Sequence, residues 1–216
     1  MSARNRLRAN DARFISVAEM LTADQWSAPS LCSEWTNHEV LAHLVVGYSC
    51  GMGSLAAHMY RGGGFDAANT ALARACAAAR SPDRLLAELR TLTDRPAGIG
   101  RYFPARLLIG DHVTHELDIL YALDVEPRIP TDVLVAVLAA QVSLPNPFVP
   151  AYRNSRGLRL VATDADWAHG DGGPLVEARA AELISVLGNR AAMVPRLRGA
   201  GTGILAGRVL SPRTGG

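Results

Sequence analysis

The chain has 216 residues, 49% of them hydrophobic and 19% charged, with 22 basic against 20 acidic side chains and a formal net charge of +2. This length and apolar content can bury a core, and the scattered charge, with no dense basic run, offers nucleic acid no electrostatic track. Every basic side chain is arginine, which excludes Schiff-base lysine chemistry.

The start, residues 1–10, is polar and basic with no apolar run behind it, so no secretory signal is expected. No stretch approaches the roughly 18 apolar residues that span a bilayer, so no membrane partner is expected. Cys32, Cys50 and Cys76 are odd in number and lack Cys-x-x-Cys spacing, which disfavours both a disulfide framework and a cysteine zinc site. These features fit a cytoplasmic protein.

Residues 10–21 carry Phe14, Val17 and Leu21 at helical spacing and predict a first helix. A loop containing Pro29 follows, then Thr36 with Glu39 three residues on, a capping box that opens a long helix over 37–60. Gly62, Gly63 and Gly64 break the chain before an alanine-rich helix over 68–79, and Ser81-Pro82-Asp83 starts another that reaches residue 92. Pro104 opens a helix that continues to residue 123 with Ile109, Val113, Leu117 and Leu120 as its apolar stripe. Thr131 caps a helix through 142, and the segment from Pro145 to Pro150 reads as a linker. Beyond it the pattern changes to a strand over 157–162, a turn over 170–174, a helix over 177–187 and a strand over 203–210. The expected fold class is α+β: a four-helix bundle over residues 1–147 followed by a small α/β domain over 148–216.

The chemistry concentrates in Asp111-His112-Val113-Thr114-His115-Glu116-Leu117-Asp118, five ionisable residues in an apolar helix. Asp111 and His115 stand four apart, about 6 Å along the axis, with Asp118 following on that face, so both can reach one cation. Burying such a cluster is costly unless it is hydrogen-bonded, paired or metal-bound. A third ligand must come from another element, and His43 is the natural donor; two imidazoles and one carboxylate suit zinc or a related ion, with one position open. Asp118 is placed to orient an imidazole from behind. His112 and Glu116 form a competing pair, also four apart, and a purely structural salt-bridged patch accounts for the same spacing. A lone histidine such as His43 is ordinarily a core residue. His169 reads as a turn residue, His38 and His58 as solvated or packed, and the three cysteines as small core residues without a catalytic base nearby in sequence.

Leu31-Cys32-Ser33-Glu34-Trp35-Thr36-Asn37-His38-Glu39-Val40-Leu41-Ala42-His43-Leu44 resembles the Cys-x-x-Trp-Thr-x-x-x-Val-x-x-His-Leu signature of the mycothiol-dependent maleylpyruvate isomerase family, within the DinB-like metal-binding helical bundles. Residues 111–118 resemble that family's acid-x-x-x-His-x-x-Asp motif, and the stretch from Leu158 through Trp167 to Arg190 resembles its small C-terminal domain. The resemblance implies a divalent metal, usually zinc, on His43, Asp111 and His115. It implies mycothiol as the thiol cosubstrate, a metal-bound thiolate attacking a small electrophile or unsaturated acid, and a reaction of isomerase or thiol-transferase type. It also implies that no protein cysteine is the nucleophile, and it points to Arg190, in Gly188-Asn189-Arg190, as a substrate arginine. The chain departs from the isomerase motif in carrying Asp111 where that motif has glutamate, one methylene longer. The rival function is a non-catalytic bundle that binds a metal or small ligand.

Overall fold

The computed structural model describes residues 2–33, 35–143, 145 and 150–210. The chain forms two compact units, Met1–Glu126 and Pro127–Gly216.

The first unit is helical. α1 (Ala3–Ala18) starts where Ser2 accepts the Asn5 amide, and it buries Leu7, Phe14, Ile15 and Ala18. Leu21 lies past its end, so the core stripe sits earlier than the sequence suggests. α2 (Ala23–Ser27), opened by a Thr22–Gln25 capping box, was not foreseen. The expected box of Thr36 and Glu39 opens α3 (Asn37–Ser49). α4 (Met52–Gly62), α5 (Phe65–Ala79), α6 (Pro82–Asp94) and α7 (Ala105–Ala122) complete the unit. α1, α6, α3 and α7 pack in a closed ring, α1 on α6 and α7, α3 on α6 and α7, which is the expected four-helix bundle. α5 packs outside α3, and α4 against α5.

The single helix expected over 37–60 is two helices. Cys50 and Gly51 are extended between them, and the Cys50 carbonyl accepts Ile99 N at 2.8 Å instead of continuing a helical ladder. The 3-10 turn Gly98–Arg101 approaches α3 so closely that a Cβ on Gly100 would lie 2.7 Å from Tyr48 Cα. No local sequence pattern reports that long-range contact.

In the second unit, α8 (Thr131–Ser143) packs with α9 (Ala151–Ser155) and α10 (Ala180–Leu187), so the division falls earlier than the expected boundary at residue 147. The expected linker lies largely outside the described residues; only Pro145 and Pro150 of it are described. β1 (Arg159–Ala162) lies between β2 (Ala168–His169), antiparallel, and β3 (Leu175–Ala178), parallel. His169 is therefore a strand residue paired with Leu160, not a turn residue. The expected helix from 177 begins at Ala180, because Glu177 and Ala178 still pair with Val161 and Ala162. The expected strand over 203–210 is a helix, α11 (Thr202–Leu210), which buries Leu205 and Val209, four residues apart. Its short apolar run carries no length or alternation that separates a buried helix from a strand. Asn154 ties this unit together by donating to Leu187 O at 2.9 Å and to Asn189 Oδ1 at 2.8 Å. Among the described residues no helix is long and apolar enough to cross a membrane.

The glycine contacts give opposite expectations at two positions. Gly100→Ala must displace backbone atoms and is expected to cost about 1–3 kcal/mol. Gly110→Ala, on α7 with nothing within 4 Å of the new Cβ, is expected to stabilise by about 0.5–1 kcal/mol. Urea denaturation of the two variants should move in opposite directions.

Candidate metal centre

α7 distributes its five ionisable groups over two faces. One residue step turns a helix by about 100°, so Asp111 and His115 cannot share a direction with His112 and Glu116.

His112 and Glu116 face α1. His112 Nδ1 lies 2.8 Å from Asp11 Oδ1, while the Tyr48 hydroxyl donates to Asp11 Oδ2 at 2.7 Å and the Thr93 hydroxyl donates to the same oxygen at 3.0 Å. All four side chains are buried. Burial pushes the His112 imidazole down, but the carboxylates of Asp11, Asp111 and Glu116 more than offset it, so its pKa is raised. Burial, and then Asp11, push the Tyr48 hydroxyl well above its ordinary value, which keeps it a donor. One turn on, the Arg13 guanidinium clasps both Glu116 oxygens at 2.5 Å, and Asn10 Nδ2 donates to Glu116 at 3.3 Å. The competing pair is therefore consumed by a structural network with α1.

Asp111 and His115 face α3 instead. Together with His43 they bring three ligand atoms within 4.8 Å of one another. His43 Nε2 is 3.4 Å from Asp111 Oδ2, and His115 Nε2 is 3.6 Å from Asp111 Oδ1. The two histidines are buried, whereas the Asp111 side chain keeps 37% exposure, so the cluster opens on the aspartate side. Behind the rings, His43 Nδ1 is 2.9 Å from Asn69 Oδ1 and His115 Nδ1 is 2.9 Å from Asp118 Oδ2. An oxygen partner keeps the proton on Nδ1 in each neutral ring, leaving both Nε2 lone pairs aimed at the Asp111 carboxylate.

In those tautomers three acceptors converge on one point. His43 Nε2 is buried and, among the described residues, has no hydrogen-bond partner. Burial, and then the neighbouring His43, hold the His115 imidazole below its ordinary pKa, which favours the neutral form a metal accepts. Desolvation pushes the Asp111 carboxyl up, but the charges that His43, His115 and His112 carry when protonated, with a hydrogen bond from His43, outweigh it and hold it well below the usual carboxylate range. A tetrahedral ion with bonds of about 2.0–2.1 Å needs donors roughly 3.4 Å apart, close to both separations measured from Asp111. The shorter aspartate reaches both imidazoles, so the donor set fits a divalent ion.

The loop before α3 walls the cluster. Leu31 N donates to Asp118 O at 3.1 Å, Ser30 Oγ donates to Trp35 O at 2.9 Å, and Asn37 Nδ2 donates to Gln25 O at 2.9 Å. These bonds hold the Trp35 ring 5.0 Å from that of His43 and 5.8 Å from that of His115. Glu34 lies outside the described residues. Cys32, half-buried on this loop, comes within 4.8 Å of ligand atoms of His115 and Asp118. This imidazole is far from Cys32 in sequence, and fold rather than spacing brings it there. Cys50 and Cys76 are buried elsewhere, and none of the three cysteines is in a disulfide.

Asn69 was also missed, though a lone amide in an alanine-rich helix was a visible signal. His38 packs, with its ring nitrogen 2.9 Å from Arg80 O, and His58 stands on α4 with Nδ1 2.8 Å from Ser54 O. Arg190 lies in the second unit, where its guanidinium donates to Gly188 O at 2.6 Å.

Residues 7–106 match the family model described as the mycothiol maleylpyruvate isomerase N-terminal domain. That match includes His43 and ends at Arg106 in the first turn of α7, before Asp111 and His115. A solved structure of the mycothiol-dependent maleylpyruvate isomerase is similar, with a TM-score of 0.55 and 15% identity over 94% of each chain. A mutant of that isomerase gives 0.53, with 15% identity over 94% of each chain. At this identity the likeness is one of fold. No curated protein matches the sequence.

Removing one partner of the buried Glu116–Arg13 pair leaves an uncompensated charge, so Glu116→Ala is expected to cost about 3–5 kcal/mol in urea denaturation, and Arg13→Met with Glu116→Leu to recover most of it. A raised folded pKa at His112 adds stability that is complete below about pH 6.5 and is lost as pH rises through the folded value. Asp11→Asn should flatten that slope in denaturation midpoints measured between pH 5 and pH 9.

Proposed function

We propose, from the premise that this chain belongs through residues 7–106 to the mycothiol maleylpyruvate isomerase N-terminal domain family, that it is a metal-dependent enzyme acting with a small thiol. The reaction is an isomerisation of an unsaturated acid or transfer of the thiol to a small electrophile, with mycothiol as the thiol. The observation that carries the reading is the convergence of His43 Nε2, His115 Nε2 and the Asp111 carboxylate, two buried imidazoles and an acid within reach of one ion.

In this reading His43, Asp111 and His115 hold a divalent ion, zinc being the best match to the donor set. The ion would supply charge that deprotonates a bound thiol at neutral pH, so that no protein base is needed for activation. The chain's own residues do the rest. Asn69 and Asp118 keep the protons of the two imidazoles on Nδ1 and so present Nε2. Trp35 lies across both rings and keeps water from that side. Asp111, the half-exposed ligand, marks the side from which thiol and substrate enter. Cys32, close to His115, is not assigned the attacking role, since an external thiol fulfils it; a Cys32→Ser variant is expected to keep its activity with added thiol.

Elemental analysis of protein prepared without an affinity tag should find one divalent metal per chain. His43→Ala or His115→Ala should abolish it, while His112→Ala should leave most of it. Equal metal in wild type and His115→Ala would rule the site out. Mycothiol added to cobalt-substituted protein should then produce a sulfur-to-cobalt charge-transfer band. Metal binding with no such band, and no turnover of unsaturated acids or electrophiles with thiol, would favour a non-catalytic metal-binding bundle instead.

A further inference from the structure

The two imidazoles of the cluster are supported unequally. His115 rests on a carboxylate, Asp118, which is fully buried. His43 rests on a neutral amide, Asn69, reached from α5 rather than from the helix ring that carries the three clustered residues. Ala68 and Ala73, both fully buried, fix that stretch of α5 and so place the amide behind His43.

We propose that Asn69 is a positioning residue that sets both the tautomer of His43 and the charge of the centre, an inference that rests on His43, Asp111 and His115 holding a metal. An acceptor at Asn69 Oδ1 keeps the His43 proton on Nδ1. Nε2 then has a lone pair to offer, and among the described residues it has no hydrogen-bond partner. An imidazole that loses this acceptor can move its proton to Nε2, which faces Asp111 at 3.4 Å and welcomes a donor there. That switch removes a ligand. The neutrality of the amide matters equally. Asp111 and Asp118 carry the charge needed to balance one divalent ion, so the centre remains able to accept an anionic fourth ligand such as a thiolate. A carboxylate in place of Asn69 would serve as an acceptor yet leave the centre net negative.

Three variants separate these roles. Asn69→Leu removes the acceptor, with Asn69→Ala as a smaller change compatible with an alanine-rich helix; Asn69→Asp keeps the acceptor and adds charge. Zinc affinity, measured by competition with a chromophoric chelator, should fall about 10–100-fold in the Leu and Ala variants and stay equal or rise in the Asp variant. The thiol affinity of the cobalt-substituted protein, read from the charge-transfer band with 2-mercaptoethanol, should fall of order tenfold in the Asp variant despite its tighter metal. Imidazole nitrogen shifts of the metal-free protein should show the His43 proton on Nδ1 in wild type and Asn69→Asp, and on Nε2 in Asn69→Leu, a change that mere loosening of α5 does not produce.

An unchanged zinc affinity and an unchanged His43 tautomer in the Leu and Ala variants would overturn the proposal while leaving the metal site standing. Zinc binding that is absent from the wild type would overturn the metal site itself, with the tautomer measurement still reporting on Asn69. Equal thiol affinity in wild type and Asn69→Asp would overturn the charge argument.

Discussion

The rotation of α7 about its own axis is the constraint on which the candidate centre depends, and the buried polar seam with α1 fixes it. His112 on Asp11 and Glu116 on Arg13 are two contacts one turn apart, so they hold both the angle and the register of the helix. A buried charge left without its partner costs several kcal/mol, and any other rotation of α7 would strand at least one of these groups. With His112 and Glu116 turned to α1, Asp111 and His115 are turned to α3. The seam is therefore a structural device whose product is the direction of two other side chains.

On the opposite side of the cluster, a loop does comparable work with hydrogen bonds alone. The segment between α2 and α3 is tied to α7 by Leu31 N on Asp118 O, and folded on itself by Ser30, which donates to Trp35 O and accepts Cys32 N. Asp118 thus serves twice, with its carboxylate behind His115 and its carbonyl under the loop. The aromatic wall and the inner support of His115 are consequently coupled through one residue. Because Cys32 rides on this loop, its nearness to His115 follows from the same tie.

Two helices of the first unit were legible from the local signals at their starts, whereas the Thr22–Gln25 box of the short α2 and the Ser2 cap of α1 went unread. Thr36 with Glu39, and Ser81 before Pro82, are caps that need no tertiary context, and both helices begin where those residues stand. The break at Cys50 and Gly51 was illegible, since its cause is a turn some fifty positions away in sequence, at Gly98 and Gly100. In the second unit the short apolar runs misled in both directions. Residues 203–210 form a helix, and Glu177 and Ala178 a strand, because over so few residues pairing and burial decide what periodicity leaves open. The fold class nevertheless followed from the longer elements, whose stripes bury as expected: Ile109, Val113, Leu117 and Leu120 are all in the core.

Spacing within α7 gave two pairs of possible ligands and no means of choosing between them. What each face meets is written in other elements: Asn10, Asp11 and Arg13 for one face, His43 for the other. An aspartate and an arginine on a polar first helix look unremarkable in sequence, yet Asp11 holds His112 and Arg13 holds Glu116 against α1. The same logic explains the shorter acid at position 111. Its oxygens stand 3.4 and 3.6 Å from the two Nε2 atoms, so in this backbone geometry an aspartate already comes close to both rings. A longer side chain there would have to bend back to keep those separations. The residue that departs from the family motif is thus matched to the spacing of its own helices, and the match depends on the α1 seam holding α7 at this angle.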